Sequence, residues 1–126
     1  LNQEGTVSEG PGSCVFIVKD GVLITPPLTA SILDSITRST IIDIARDDLG
    51  LKVIERDVDK SELYTADEVF MCGTAVEVVP VFSVDKVQVG QGVEGRVTLN
   101  IKDLYLQIVR GKVEKYRKWL TPVYER

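Results

Sequence analysis

The 126-residue chain reads as one mixed α/β (α+β) domain, in which short strands predominate and two long helices interrupt them. Runs of β-branched and aromatic residues, Val15-Phe16-Ile17-Val18, Val22-Leu23-Ile24 and Val69-Phe70-Met71-Cys72, are the composition of buried strands. Asp20-Gly21 lies between the first two runs, a pair that favours a tight hairpin. Two segments, from about Ser35 to Leu49 and from about Val97 to Val109, are helical in pattern, and each meets a glycine just past its end, Gly50 and Gly111.

Taken in order, Gln3-Glu4-Gly5 is a turn and Thr6-Val7-Ser8 a short strand leaving it. Cys14 to Lys19 is the first buried strand, and Val22 to Thr25 returns from the Asp-Gly turn. Pro26-Pro27 ends that strand, because proline has no N–H for a ladder. Ser35 or Thr37 caps the first helix, whose buried side carries Ile41, Ile44, Ala45 and Leu49. Lys52 to Val58 is expected to be a strand by its alternation, and Asp59 to Tyr64 a short capped helix. Val69 to Cys72 is a strand broken by Gly73-Thr74-Ala75, and Val76 to Val84 is strand-rich, with Pro80 putting it at an edge or a bulge. Asp85-Lys86 turns into Val87-Gln88-Val89, and a loop with Gly90, Gly92 and Gly95 leads to the last long helix. Leu99, Leu104, Leu106 and Ile108 are assigned to its apolar side, and Lys112 to Arg126, with Tyr116 and Trp119, to a docked short helix or a partner contact.

At 44% hydrophobic and 27% charged the composition is that of an ordinary soluble domain. A net charge of −4 without a basic stripe argues against nucleic acid, and no apolar run approaches the roughly 20 residues of a membrane helix. The chain has no histidine, which excludes a Ser-His-Asp triad, a Cys-His pair and a Cys/His zinc site. Cys14 and Cys72 are read as two buried free thiols in a reducing, cytoplasmic compartment. The first residues lack the basic head and apolar core of a signal peptide, and the absence of an initiator methionine suggests a piece of a longer chain.

Three places can carry chemistry. Glu9, beside Gly10-Pro11-Gly12, is by itself most simply a solvated turn residue; as a buried carboxylate it would instead hold a protonated ring nitrogen and keep the ring cationic. The helix start at Ile36-Thr37 is an ordinary cap, or a set of orphan N–H groups that bind a phosphate at the positive end of the helix. Gly73-Thr74-Ala75 is a plain bulge, or a turn whose small residues bring backbone N–H groups close to an anion.

Glu9-Gly10-Pro11-Gly12, Phe16 to Gly21, Thr25-Pro26-Pro27-Leu28, Gly73 to Val78 and Gly95-Arg96-Val97-Thr98 together, in this order, resemble the class IV pyridoxal-phosphate aminotransferases, the branched-chain amino acid group most of all. The resemblance spans essentially the whole chain. It implies the large domain of the D-amino acid aminotransferase-like fold, fold type IV, a β pseudobarrel flanked by helices. It implies pyridoxal 5'-phosphate as cofactor, with Glu9 at the pyridine nitrogen and Leu33 packed on the ring. Ile36 and Thr37 match the backbone donors to the phosphate, and Thr74 a hydroxyl that reaches it. Thr74 and Ala75 match the N–H groups that hold the substrate α-carboxylate. The family's Schiff-base lysine and small N-terminal domain lie before the glutamate, so no catalytic residue is assigned in this chain, and residues 1–126 correspond to the C-terminal large domain, incomplete on its N-terminal side.

This sequence departs from the family pattern in three places. Cys14 stands where an asparagine is usual, Asp34-Ser35 where Pro-Gly is common, and Cys72 where a small hydroxyl residue precedes Gly73. None removes a proposed contact, though an acid beside the phosphate is unfavourable. The implied reaction moves the amino group of leucine, isoleucine or valine to 2-oxoglutarate. A D-amino acid aminotransferase and an aminodeoxychorismate lyase share the architecture, and a non-catalytic module retaining the fold is the alternative of another class. The family's habit implies a homodimer or a higher homo-oligomer, with amino acids and 2-oxo acids as small-molecule partners and neither nucleic acid nor membrane among them.

Overall fold

The computed structural model describes residues 1–124. A five-stranded sheet of order β3-β2-β1-β4-β5 is its centre, built from β1 (Cys14–Lys19), β2 (Val22–Thr25), β3 (Val53–Glu55), β4 (Glu68–Gly73) and β5 (Glu77–Val81). All neighbours are antiparallel except β2 and β3, which the first long helix, α1 (Ile36–Asp47), connects as a parallel pair. The Asp-Gly hairpin forms as expected: Asp20 and Gly21 both have positive φ, which matches the turn to the twist of β1 and β2.

Side chains alternate along β1, and both faces are covered, which is why the strand is apolar throughout. Cys14, Phe16 and Val18 face one core with Phe70 and Cys72 of β4, under α1 and the second long helix, α3 (Arg96–Val109). Val15 and Ile17 face a second core with Val7, Val58, Ala66 and Val89. Phe16 and Phe70 sit opposite each other in register, their rings stacked 5.0 Å apart. The short helix α2 (Lys60–Thr65) begins with a reciprocal capping box between Asp59 and Glu62.

Several expectations shift. Thr6-Val7-Ser8 is not a full strand but a single bridge from Thr6 to Asp59, with the Val7 N–H donating to Val58 O. The strand expected over Lys52 to Val58 shortens to Val53–Glu55, because its partner β2 stops at Thr25 before the prolines. The Val76 to Val84 region divides into β5 and β6 (Ser83–Val84), and β6 pairs with β7 (Val87–Gln88) in a small separate sheet. Pro80 lies on β5, an outer strand, as expected. The buried stripe of α3 is Thr98, Ile101, Tyr105 and Ile108; of the expected apolar side Ile108 is buried and Leu104 and Leu106 pack against the core, while Leu99 is exposed. In the tail a 3-10 helix, Glu114–Trp119, docks on the body through Tyr116, whose hydroxyl donates to Asp48. The last two residues of that expected tail, 125 and 126, lie outside the described residues. No described helix is long and apolar enough to cross a membrane.

Candidate cofactor cleft

The turn before β1 is built by Pro11-Gly12, with Gly10 and Ser13 exchanging both backbone hydrogen bonds and Gly12 at φ +69°. That is where a proline followed by a positive-φ glycine is required. The hairpin joining β4 to β5 comes close to this turn. A Cβ on Gly73 would lie 2.8 Å from Gly12 O, so only glycine allows the approach. Gly73 pairs with Glu77 across Thr74-Ala75-Val76, which makes this stretch a hairpin loop rather than a bulge.

On the opposite side the chain from Pro26 to Ser35 is tied down at several points. Ser8 Oγ donates to Ser31 O at 3.1 Å, and Glu9 Oε2 accepts from the Leu33 N–H at 3.1 Å. Ser35 caps α1: its Oγ accepts from the Arg38 N–H at 3.2 Å and its carbonyl from Ser39. The bond from Ser39 is the first within the helix, so of the N–H groups that an α-helix start leaves without intrahelical partners, the Ser35 side chain satisfies that of Arg38. Those of Ile36 and Thr37, the first two helical residues, remain as donors at the positive end of a 12-residue helix.

Between the two sides lies a cleft of about 470 Å³. It brings together Glu9, Leu33, Ile36, Thr74 and Ala75, five of the six residues singled out in the sequence, although they span 66 positions of chain. Thr37 is the sixth; its side chain is buried and lines the neighbouring groove between α1 and α3, so only its backbone is a candidate for this cleft. Glu9 is exposed among the described residues, which corrects the expectation of a buried carboxylate: hydrogen bonding to the loop, not enclosure, orients it. Leu33 and Ile36 also present unusual apolar surface, with Ile36 87% exposed.

The floor of the cleft includes two residues to which the sequence reading gave no role in the site. Cys14 and Cys72 face each other in register across β1 and β4, both free and buried. A hydrogen bond from Cys72 lowers the Cys14 thiol to about 7, against the opposing effect of burial, and a bond from Ser35 adds to it. The same pairing, with burial, pushes the Cys72 thiol up. Arg38 was also missed. It is an arginine 3% exposed in the first turn of α1, and its position at a helix start between polar residues gave no sequence signal of burial.

The donor set suits a phosphorylated ring: helix-start N–H groups, a hydroxyl on Thr74, an apolar residue at Leu33 and an acid at the other end. A Gly73 that tolerates no Cβ holds the Thr74 and Ala75 backbone against the first turn. The chain belongs to the amino-transferase class IV family, whose model matches residues 1–84. It is 47% identical over its whole length to a probable branched-chain-amino-acid aminotransferase of Aquifex aeolicus, and 49% identical over 123 residues to the branched-chain-amino-acid aminotransferase of Salmonella typhimurium. It spans about 40% of the length of each of these relatives. Among solved structures, the PLP-form (holo-form) of the branched-chain amino acid aminotransferase from Thermobaculum terrenum matches 99% of this chain and 41% of its own, at 51% identity and a TM-score of 0.96. The branched-chain aminotransferase of the thermophilic archaeon Thermoproteus uzoniensis, solved with norvaline, matches 98% of this chain and 40% of its own, at 49% identity and a TM-score of 0.93. These neighbours carry fold type IV as expected, a mixed sheet flanked by helices.

Proposed function

We propose that this chain is the cofactor-binding large domain of a branched-chain amino acid aminotransferase, which moves the amino group of leucine, isoleucine or valine to 2-oxoglutarate through pyridoxal 5'-phosphate. The observation that carries the reading is the convergence of Glu9, Leu33, Ile36, Thr74 and Ala75 on one cleft. Glu9 holds the ring nitrogen and Leu33 supports the ring. The N–H groups of Ile36 and Thr37, with the Thr74 hydroxyl, hold the phosphate, and the Thr74 and Ala75 N–H groups hold the substrate carboxylate. The bound cofactor supplies an electron sink for bonds at the substrate α-carbon. The Schiff-base lysine is contributed by chain preceding residue 1, which makes residues 1–126 an incomplete large domain.

The names of the relatives support the substrate class, and the free buried thiols agree with a reducing cytoplasmic setting. Exposed Val76, Val79 and Phe82 along the outer strand and beyond agree with a face covered in a homodimer or larger homo-oligomer. The test is an assay of the complete polypeptide with L-leucine, D-alanine and aminodeoxychorismate. Transfer from L-leucine to 2-oxoglutarate is expected; activity with D-alanine or aminodeoxychorismate alone would refute the assignment.

A further inference from the structure

Arg38 is the third residue of α1 and, with the side chain 3% exposed, is the one charged residue buried in the described core. Its Nη2 donates to Glu55 Oε1 at 2.6 Å and to Pro26 O at 3.0 Å. Its own backbone N–H is the one that Ser35 caps. One cation therefore joins three segments: the first turn of α1, the end of β2 where the loop bearing Leu33 begins, and the end of β3. Thr25 and Glu55 are register partners on β2 and β3, so the two acceptors stand side by side at the end of the sheet.

We infer that Arg38 is a positioning residue for phosphate: by anchoring the first turn of α1 to Pro26 and Glu55 it sets where the Ile36 and Thr37 N–H groups point. This rests on the reading of the cleft given above. A helix start frays unless it is held, and here Ile36 is almost fully exposed and gives no packing of its own. Ser35 meets only Cys14 of β1, so the link from this turn to the β2 and β3 end of the sheet runs through the guanidinium. Both bonds leave the one Nη2, whose two N–H directions are fixed in the guanidinium plane; a lysine carries the charge without that fixed geometry. Among the described residues the polar contacts of the Arg38 side chain are those of Nη2, and its Nε is buried without a protein partner. Its charge also reaches the cleft floor: among the influences on the Cys14 thiol, led by the bond from Cys72, Arg38 adds a further lowering.

The experiment measures binding of pyridoxal 5'-phosphate and of pyridoxal, which lacks the phosphate, to the complete polypeptide freed of cofactor, in the parent, Arg38→Met and Arg38→Lys. Arg38→Met is expected to raise the Kd for the phosphorylated ligand about tenfold or more, and to leave that for pyridoxal within about threefold. Arg38→Lys is expected to fall between parent and Arg38→Met. If Arg38→Met fails to unfold cooperatively, Arg38→Lys carries the test, with a rise for the phosphorylated ligand alone. An unchanged Kd in a folded variant, or an equal loss of both ligands, overturns the positioning role and leaves the cofactor reading standing. A parent that binds no pyridoxal 5'-phosphate overturns both.

Discussion

The Glu9 carboxylate accepts a hydrogen bond from the Leu33 N–H at 3.1 Å, across 24 residues of chain. The bond ties the segment entering the Gly10–Ser13 turn to the loop after β2, and it orients an acid that burial does not hold. Two residues proposed for different parts of one ring, its nitrogen and its face, are thus linked to each other.

Glu9→Gln keeps an acceptor for Leu33 but removes the charge offered to a ring nitrogen. In the complete enzyme, turnover of L-leucine is expected to fall by about 10²-fold or more, the scale of losing one aimed electrostatic partner. Because Glu9 is exposed, the midpoint of thermal unfolding is expected to move little. Steady-state assays within a few-fold of the parent would remove Glu9 from the mechanism.

Ser35→Ala deletes the α1 cap, whose Oγ accepts from the Arg38 N–H. Loss of an N-cap hydroxyl costs about 1 kcal/mol. Ser35→Asp supplies an alternative acceptor, so denaturant titrations are expected to rank the parent close to Ser35→Asp and above Ser35→Ala. The reverse order would mean that the cap contributes nothing here.

The start of α3 depends on a residue from another element. Glu68 of β4 accepts from the Val97 N–H at 3.0 Å, and from both the N–H and the hydroxyl of Thr98 at 2.7 Å. Thr98 is 1% exposed, so Glu68→Ala leaves buried donors unpaired, at a cost of about 2–3 kcal/mol. A Cβ on Gly95 would come within 2.0 Å of the same carboxyl carbon, so Gly95→Ala should also destabilise. Equilibrium unfolding of the double variant is expected to show less than the sum of the two losses, since both act through Glu68. Simple additivity would contradict that.

Glu62 sits well placed for a pH test. The bond from Arg56 lowers its carboxyl below the ordinary glutamate value, with the Asp59 N–H assisting against burial. A carboxyl lowered on folding contributes stability that is complete above its unfolded value and fades as pH falls through the folded one. Glu62→Gln is therefore expected to be less stable than the parent by about 1 kcal/mol near neutrality. The gap should close on acidification below the usual glutamate range. A gap that widens in acid would be the wrong sign.

The Cys14 thiol, at about 7, and the raised Cys72 thiol differ in reactivity at neutral pH. Alkylation of Cys14 by iodoacetamide is expected to accelerate as pH rises through about 7, while Cys72 stays unmodified. Cys72→Ala removes the bond that lowers Cys14 most, so the rise should shift toward higher pH. Mass spectrometry of the modified peptides distinguishes the two thiols.

Local chemistry made much of the fold legible in the sequence. The apolar run of β1, the positive φ required at Asp20 and Gly21, the prolines after Thr25, the Ser35 cap and the Gly50 stop act over a few residues, and each produced the element expected. The order of Glu9, Ile36-Thr37 and Gly73-Thr74-Ala75 pointed to the candidate members of the site. Tertiary structure decided how they meet. α3 buries Ile108 and packs Leu104 and Leu106 as expected, but Thr98 and Ile101 take the place of Leu99, because α1 and the sheet determine the centre of the buried stripe. β3 shortened because β2 offers only four residues of ladder. Arg38 was invisible for the same reason: a charged residue at a helix start is normally solvated, and only acceptors from Pro26 and Glu55, 12 and 17 positions away, make its burial favourable. Residue types and the family resemblance marked which groups could bind a phosphate and a ring; long-range contacts alone brought five of those six residues to one cleft, because the forces that align them come from strands and turns distant in the chain.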